Sequence, residues 1–192
     1  MELNMKYAAA ALLIASAITS CQPSKDDPIT PPPPPNEQEV ITTLILNFDN
    51  IGVGADKELR FTDADGDGGG VPVLDVDTLD ASSVYNVSIL VLNETANPVD
   101  TISNEILDEG VDHQFFFTPM GPNIGYVYAD VDVDGNPIGL LTTMTTGALS
   151  SGTFKVTLLH ALDKNAAGVS GGDMTNAGGE TDLEVTFPLV IE

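Results

Sequence analysis

The chain has 192 residues, with 29 acidic and 6 basic side chains and a net charge of −23 at neutral pH. A chain with this charge repels nucleic acid and anionic lipid headgroups, so we predict no nucleic-acid partner, whereas cations are attracted to it. The single cysteine, Cys21, excludes an intramolecular disulfide.

The first residues follow the order of a bacterial export signal. A short polar segment is followed by an apolar run of 11 residues (8–18) and by small residues that lead to Cys21. The run is too short for a transmembrane helix, which needs roughly 20 residues, and it predicts a removable signal peptide over residues 1–20. The sequence Ile-Thr-Ser-Cys at 18–21 resembles the lipobox of bacterial lipoproteins, in which the cysteine thiol carries a diacylglycerol. Cys21 is therefore the predicted lipid-attachment residue.

Residues 21–39 form a predicted tether between the lipid and the folded domain. Five consecutive prolines (31–35) favour an extended polyproline helix of about 3.1 Å per residue. The string Lys25-Asp26-Asp27 resembles the signal that sends Bacteroidota lipoproteins to the outer face of the outer membrane. We therefore expect a lipid-anchored outer-membrane protein displayed at the cell surface. The alternative is an ordinary solvated charge cluster and a domain on the periplasmic face.

Residues 40–192 are predicted to form one domain of β-strands. Their apolar residues alternate with polar ones at period two, which is typical of strands that bury one face. In the first strand this face carries Val40, Thr42, Leu44, Leu46 and Phe48. Further strands are predicted at 58–62, 71–79, 84–93, 114–118, 124–129, 139–145, 153–160 and 183–191. Eight or nine strands at this spacing predict an all-β, immunoglobulin-like antiparallel β-sandwich.

One short helix interrupts the strands, over residues 100–110. Its apolar residues fall at helical spacing: Ile102, Ile106 and Leu107. Asp100 or Thr101 can cap its start, and Gly110 can end it in the left-handed conformation. We expect this helix to pack across one end of the sandwich.

Four segments resemble a known family. They are Glu39-Val40-Ile41-Thr42-Thr43, Asp63-Ala64-Asp65-Gly66-Asp67-Gly68-Gly69-Gly70, His113-Gln114-Phe115-Phe116-Phe117 and Gly179-Glu180-Thr181-Asp182-Leu183-Glu184-Val185-Thr186-Phe187-Pro188. Together they resemble small Bacteroidota outer-membrane lipoproteins over most of the mature chain. Members are sometimes assigned a type 1 periplasmic-binding fold, which needs alternating strands and helices, whereas this short, strand-rich chain favours a sandwich. The resemblance implies an accessory role in outer-membrane nutrient uptake.

Two aspartate-rich turns match the opening of a calcium-binding loop, in which alternate carboxylates converge on the ion and a glycine permits a sharp turn. The place of the bidentate glutamate of an EF-hand is taken by Leu74 in the first turn and by Leu141 in the second. We therefore predict looser oxygen sites. Their calcium ligands are Asp63, Asp65 and Asp67 in the first turn and Asp130, Asp132 and Asp134 in the second. The alternative is that aspartate and glycine are simply good turn residues.

Only His113 and His160 can serve as neutral bases or as ligands of a softer metal ion. Each lies at a predicted strand end, where the two could meet with Met120, Met144 or Met174 in a copper or zinc site. The alternative is that both are edge or turn residues. Gly168-Val169-Ser170-Gly171-Gly172 matches the pattern G-x-S-x-G, but the Gly-rich stretch after it predicts a loop and not a nucleophile elbow.

These observations favour a non-enzymatic cell-envelope lipoprotein that binds a ligand or partner. The lipid on Cys21 is expected to attach the protein to the membrane, and the expected partner is an outer-membrane receptor protein or a small ligand. The alternative function is a structural or adhesive surface module stabilised by calcium.

Overall fold

Nine β-strands and one α-helix make up the regular structure of residues 39–66 and 68–192, which are the residues that the computed structural model describes. The strands are β1 Thr43–Asn50, β2 Lys57–Thr62, β3 Val73–Val76, β4 Val84–Leu92, β5 His113–Met120, β6 Ile124–Tyr128, β7 Leu141–Thr146, β8 Ser150–His160 and β9 Glu180–Ile191. The helix α1, Ile102–Asp108, connects β4 to β5. The predicted signal peptide, Cys21 and the tether up to residue 38 lie outside the described residues.

The strands form two antiparallel sheets. The larger sheet has the order β3-β2-β1-β4-β7-β6, and the smaller has the order β5-β8-β9. Leu79, just after β3, forms a parallel bridge to Ile191 at the end of β9 and so ties one edge of the larger sheet to the smaller one. The prediction of an all-β antiparallel sandwich with eight or nine strands and one short helix is confirmed.

The main core lies between the sheets and follows from the period-two pattern. Leu44, Leu46 and Phe48 of β1 are fully buried, and their partners on β4 are Val91, Ile89 and Val87. From the smaller sheet, three fully buried residues of β8 join the same cluster: Phe154, Val156 and Leu158. Burial of a large apolar side chain contributes about 1.5 to 3 kcal/mol, so this layer supplies most of the driving force for the fold.

A second apolar cluster covers the outer face of the smaller sheet. Along β5, Phe115 and Phe117 point into the main core, and Phe116 points to the opposite face. There it is covered by the strap, which we define as residues 161–179. The strap contributes three buried apolar side chains: Leu162, Val169 and Ala177. The three consecutive phenylalanines therefore have the main core on one side and a covering loop on the other.

The helix buries Ile102 and Ile106 in the main core, but Leu107 is exposed. Thr101 is the N-terminal cap residue, without a side-chain hydrogen bond, and Glu109 is the C-terminal cap. The prediction that Gly110 adopts the left-handed conformation is wrong, since its φ is not positive. A Cβ atom there would come within 2.7 Å of Ile138 Cδ1, so a larger residue at this position would require the end of that side chain to shift. In the described part of the chain, no helix has the length and hydropathy to span a membrane.

Candidate functional site

The two histidines meet at one end of the smaller sheet. His113 is the first residue of β5, His160 is the last of β8, and the strand register places them directly opposite each other. Their rings stack with centroids 4.5 Å apart and planes 10° from parallel. The methionines considered with them lie elsewhere: Met120 is at the other end of β5, Met144 is in the main core, and Met174 packs against the strap cluster.

A carboxylate completes this group. Glu109 ends α1, and its side chain is brought to the histidines by the short turn between α1 and β5. One ligand atom from each of Glu109, His113 and His160 lies within 4.8 Å of the other two. Within residues 39–66 and 68–192, no other group of three histidine, cysteine or acidic side chains comes close enough together to share a metal ion. We call these three residues the histidine cluster.

His113 is almost completely buried, and each ring nitrogen faces an acceptor. Nδ1 lies 3.2 Å from the carbonyl oxygen of Glu109, and Nε2 lies 3.6 Å from Oδ2 of the buried Asp182 side chain. Desolvation lowers the pKa of His113, but the Asp182 carboxylate and the Glu109 carbonyl outweigh it, so the pKa lies above its usual value. The ring is thus oriented from both sides.

Glu39, the last residue of the predicted tether, lies next to His113. Burial raises the pKa of its carboxyl to about 7, and although His113 lowers it, the nearby carboxylates Glu105, Glu109 and Asp182 raise it further. Its Oε2 atom is buried and has no hydrogen-bond partner among the described residues. Four acidic side chains therefore act on one another at this end of the sandwich, with His113 among them.

The first aspartate turn borders a pocket of about 170 Å³ beside this cluster. Asp63 and Gly66 line the pocket together with Glu39 and Asp182. Asp65 points away into its own turn, where its Oδ2 accepts the N–H of Gly70 at 3.0 Å. Asp67 lies outside the described residues. The calcium prediction for this turn stays a prediction.

In the second aspartate turn, the carboxylates are used within the fold. Asp130 accepts the N–H groups of Gly139 and Leu141, at 2.8 and 2.9 Å. Asp132 Oδ1 accepts the N–H groups of Asp134 and Asn136, both at 2.9 Å. The side chain of Asp134 is exposed. The calcium prediction for this turn also stays a prediction, and an ion bound there would compete with partners that the carboxylates already have.

A buried lysine holds this turn in place. Lys164 of the strap is 3% exposed, and its Nζ donates to Asp132 Oδ2 at 2.9 Å, to Pro137 O at 2.8 Å and to Gly110 O. Desolvation raises the pKa of Asp132, but Lys164 and the two backbone N–H groups outweigh it, so the pKa lies below its usual value. One ammonium group thus joins the strap, the aspartate turn and Gly110 in the turn after α1.

The surface above Lys164 is an apolar groove of about 230 Å³. We define the valine groove by its four exposed apolar side chains: Leu107, Val111, Val131 and Val133. The first two come from the end of α1 and the turn after it, and the valines at 131 and 133 come from the aspartate turn. Asp108, Gly110, Asp132 and Ile138 complete the lining. The groove therefore has apolar walls on a strongly acidic protein.

The G-x-S-x-G segment has the loop conformation that its sequence predicted. Ser170 lies exposed in a single 3₁₀ turn, Val169–Gly171, between two glycines with φ near +90°. The next regular element, Met174–Asn176, is another single 3₁₀ turn. This geometry differs from the strand-turn-helix that presents the serine of a hydrolase.

Comparisons of the chain with models of protein families, with curated proteins and with solved structures found no match. The sequence pointed to the two histidines but missed Glu109, Glu39, Asp182 and Lys164. Glu109 lies four residues before His113, and this spacing is the signal that could have found it. The other three reach the site from distant parts of the chain, and nothing in their local sequence distinguishes them from surface charges.

Proposed function

We propose that this chain is a lipid-anchored protein of the outer membrane that binds a partner protein through the valine groove and has no enzymatic role. In this proposal Cys21 carries the lipid, the proline-rich tether spaces the domain from the membrane, and the sandwich presents the groove. The observation that carries the proposal is the grouping of four exposed apolar side chains on one concave surface.

Single exposed apolar residues are ordinary on protein surfaces, whereas contiguous apolar patches mark interaction sites. Val133 is 93% exposed and Val131 is 61% exposed, and both lie in the turn between β6 and β7. The walls of the groove are fixed in the free protein, because Lys164 connects the turn and the end of α1 from below. A preformed groove loses little conformational entropy on binding, which favours affinity.

The charge around the groove indicates the chemistry of the partner. Asp108 lines the groove, and the exposed Asp112 and Asp134 follow directly after two of its valines. A segment that places an apolar side chain between basic ones fits this surface, and the net charge of −23 would speed its encounter with the domain. We place that segment on a membrane receptor of the uptake type that the family resemblance implies.

The experiment is a pull-down from native outer membranes with three forms of the mature chain. Val133→Asp adds a charge to the valine groove, and Val53→Asp adds the same charge at another fully exposed valine, between β1 and β2. We expect one membrane protein to be recovered with the parent and with Val53→Asp but lost with Val133→Asp. Recovery that is equal with all three forms would refute the assignment of the groove.

A further inference from the structure

We propose that the histidine cluster binds a divalent transition-metal ion of the zinc class through Glu109, His113 and His160. Two imidazoles and one carboxylate are a ligand set that zinc uses in proteins, with a fourth position open to water. The ligands come from the end of α1, the start of β5 and the end of β8. The ion would therefore connect three chain segments at one end of the sandwich. This function is separate from binding at the valine groove.

The surroundings of His113 have the form expected around a metal ligand. A histidine that binds a metal almost always donates its other ring N–H to a carbonyl or carboxylate, which fixes the orientation of the ring. Here the Glu109 carbonyl faces Nδ1 and the Asp182 carboxylate faces Nε2. Whichever nitrogen binds the ion, an acceptor is already in place for the other.

The electrostatic balance of the cluster also favours a cation. Glu39, Glu105, Glu109 and Asp182 all act on this small region. The buried Oε2 of Glu39 has no hydrogen-bond partner among the described residues. Buried carboxylate oxygens are costly unless they are paired. A divalent ion beside His113 would supply the positive charge that the four carboxylates share.

Binding requires two changes of geometry. Both ring nitrogens of His113 face acceptors, so one acceptor must give way to the ion. The lone pair of an imidazole nitrogen lies in the plane of its ring, and two rings stacked 10° from parallel direct their lone pairs into separate planes. One ring must turn about χ2, which is a broad torsion for histidine. His160 is the less buried of the two rings, so we expect it to be the one that turns, exchanging its present contacts for the ion. The ion would replace ring stacking with shared coordination.

The test uses the full mature chain in detergent after removal of metal by a chelator. Zinc is titrated by calorimetry in the presence of excess calcium, which saturates weak carboxylate sites on the acidic surface. Cobalt is titrated in parallel, because its visible absorption reports nitrogen and oxygen coordination. We expect one zinc ion per chain, a rise in melting temperature on zinc addition, and a cobalt absorption band with the same stoichiometry.

Two variants identify the ligands. Glu109→Gln changes an exposed side chain without changing its size, and His160→Ala removes a partly exposed ring that stacks on His113. We expect each to weaken zinc binding by at least about tenfold. Asp108→Asn is the matched control, since it neutralises an exposed acid directly before Glu109 on the same helix and is not one of the four carboxylates around His113, and it should retain the site. Absence of binding to the parent, or equal affinity in the parent and both ligand variants, would overturn the proposal.

Discussion

The buried ion pair between Lys164 and Asp132 provides the sharpest prediction about stability. Lys164→Met keeps most of the apolar volume of the side chain but removes the ammonium group. It leaves two carbonyl oxygens without their donor and the Asp132 carboxylate, whose side chain is 1% exposed, without its counter-ion. Removal of one partner from a buried pair costs about 3 to 5 kcal/mol, because the remaining charge stays desolvated. At roughly 2 to 4 °C per kcal/mol for a domain of this size, the melting temperature falls by on the order of 10 °C.

Urea unfolding followed by circular dichroism measures this effect. The midpoint should decrease while the slope stays constant, since the unfolded state exposes the same surface in both proteins. Lys155→Met is the matched control: it breaks a 3.0 Å pair with Glu184 that is partly exposed, and exposed pairs contribute about 1 kcal/mol or less. If Lys164→Met is no more destabilising than Lys155→Met, our description of the buried pair is wrong.

The same pair predicts a pH dependence with a definite sign. The pKa of Asp132 is lowered in the folded state. Its contribution to stability is therefore complete above the unfolded pKa of about 3.9 and is lost as the pH falls through the lower folded value. The difference in unfolding free energy between the parent and Lys164→Met should thus be constant near neutral pH and should narrow in strong acid. A difference that widens on acidification would contradict this assignment.

Three further predictions follow from other parts of the chain. Phe116→Ala should lower the free energy of unfolding by about 3 to 5 kcal/mol and make the strap (161–179) sensitive to protease. Met120→Ala, at the exposed end of the same strand, should have neither effect. If the second aspartate turn binds calcium, millimolar calcium should raise the melting temperature more than sodium at equal ionic strength, and Asp134→Asn should remove the difference. An equal rise with both salts would mean that calcium only screens the negative charge of the protein. Cys21→Ala should move the protein from the membrane to the soluble fraction, and unchanged fractionation would refute the lipid anchor.

The sequence predicted the strands closely because alternation is a local signal. Most predicted ends lie within a few residues of those in the structure, and the edge strand β3 is the one whose length was most overestimated. A strand was predicted over 71–79, but only Val73–Val76 pairs with β2. At Asp77 the backbone N–H still donates to Glu58 O at 3.0 Å, but the Asp77 carboxylate accepts the N–H of Glu58 at 2.8 Å. Side-chain competition of this kind is not visible in a period-two pattern.

The candidate sites were less predictable because they depend on contacts between distant residues. The two histidines could be foreseen as strand ends, since antiparallel neighbours bring such ends together. The burial of Lys164 could not be foreseen, because a lysine in a Gly- and Asn-rich loop is usually exposed to solvent. Its burial results from the strap folding back over the smaller sheet, 32 residues after its partner Asp132. The valine groove depends on the same contact and was hidden for the same reason.

The most direct test of the proposed function is site-specific photo-crosslinking in intact cells. A photoreactive amino acid replaces Val133 in the valine groove or, in a separate strain, the equally exposed Val53. We expect one discrete crosslinked product from position 133, none from position 53, and loss of the product when Lys164→Met is added, because that change releases the walls of the groove. The same set of products from both positions, or no product from position 133, would contradict the claim that the groove binds a partner.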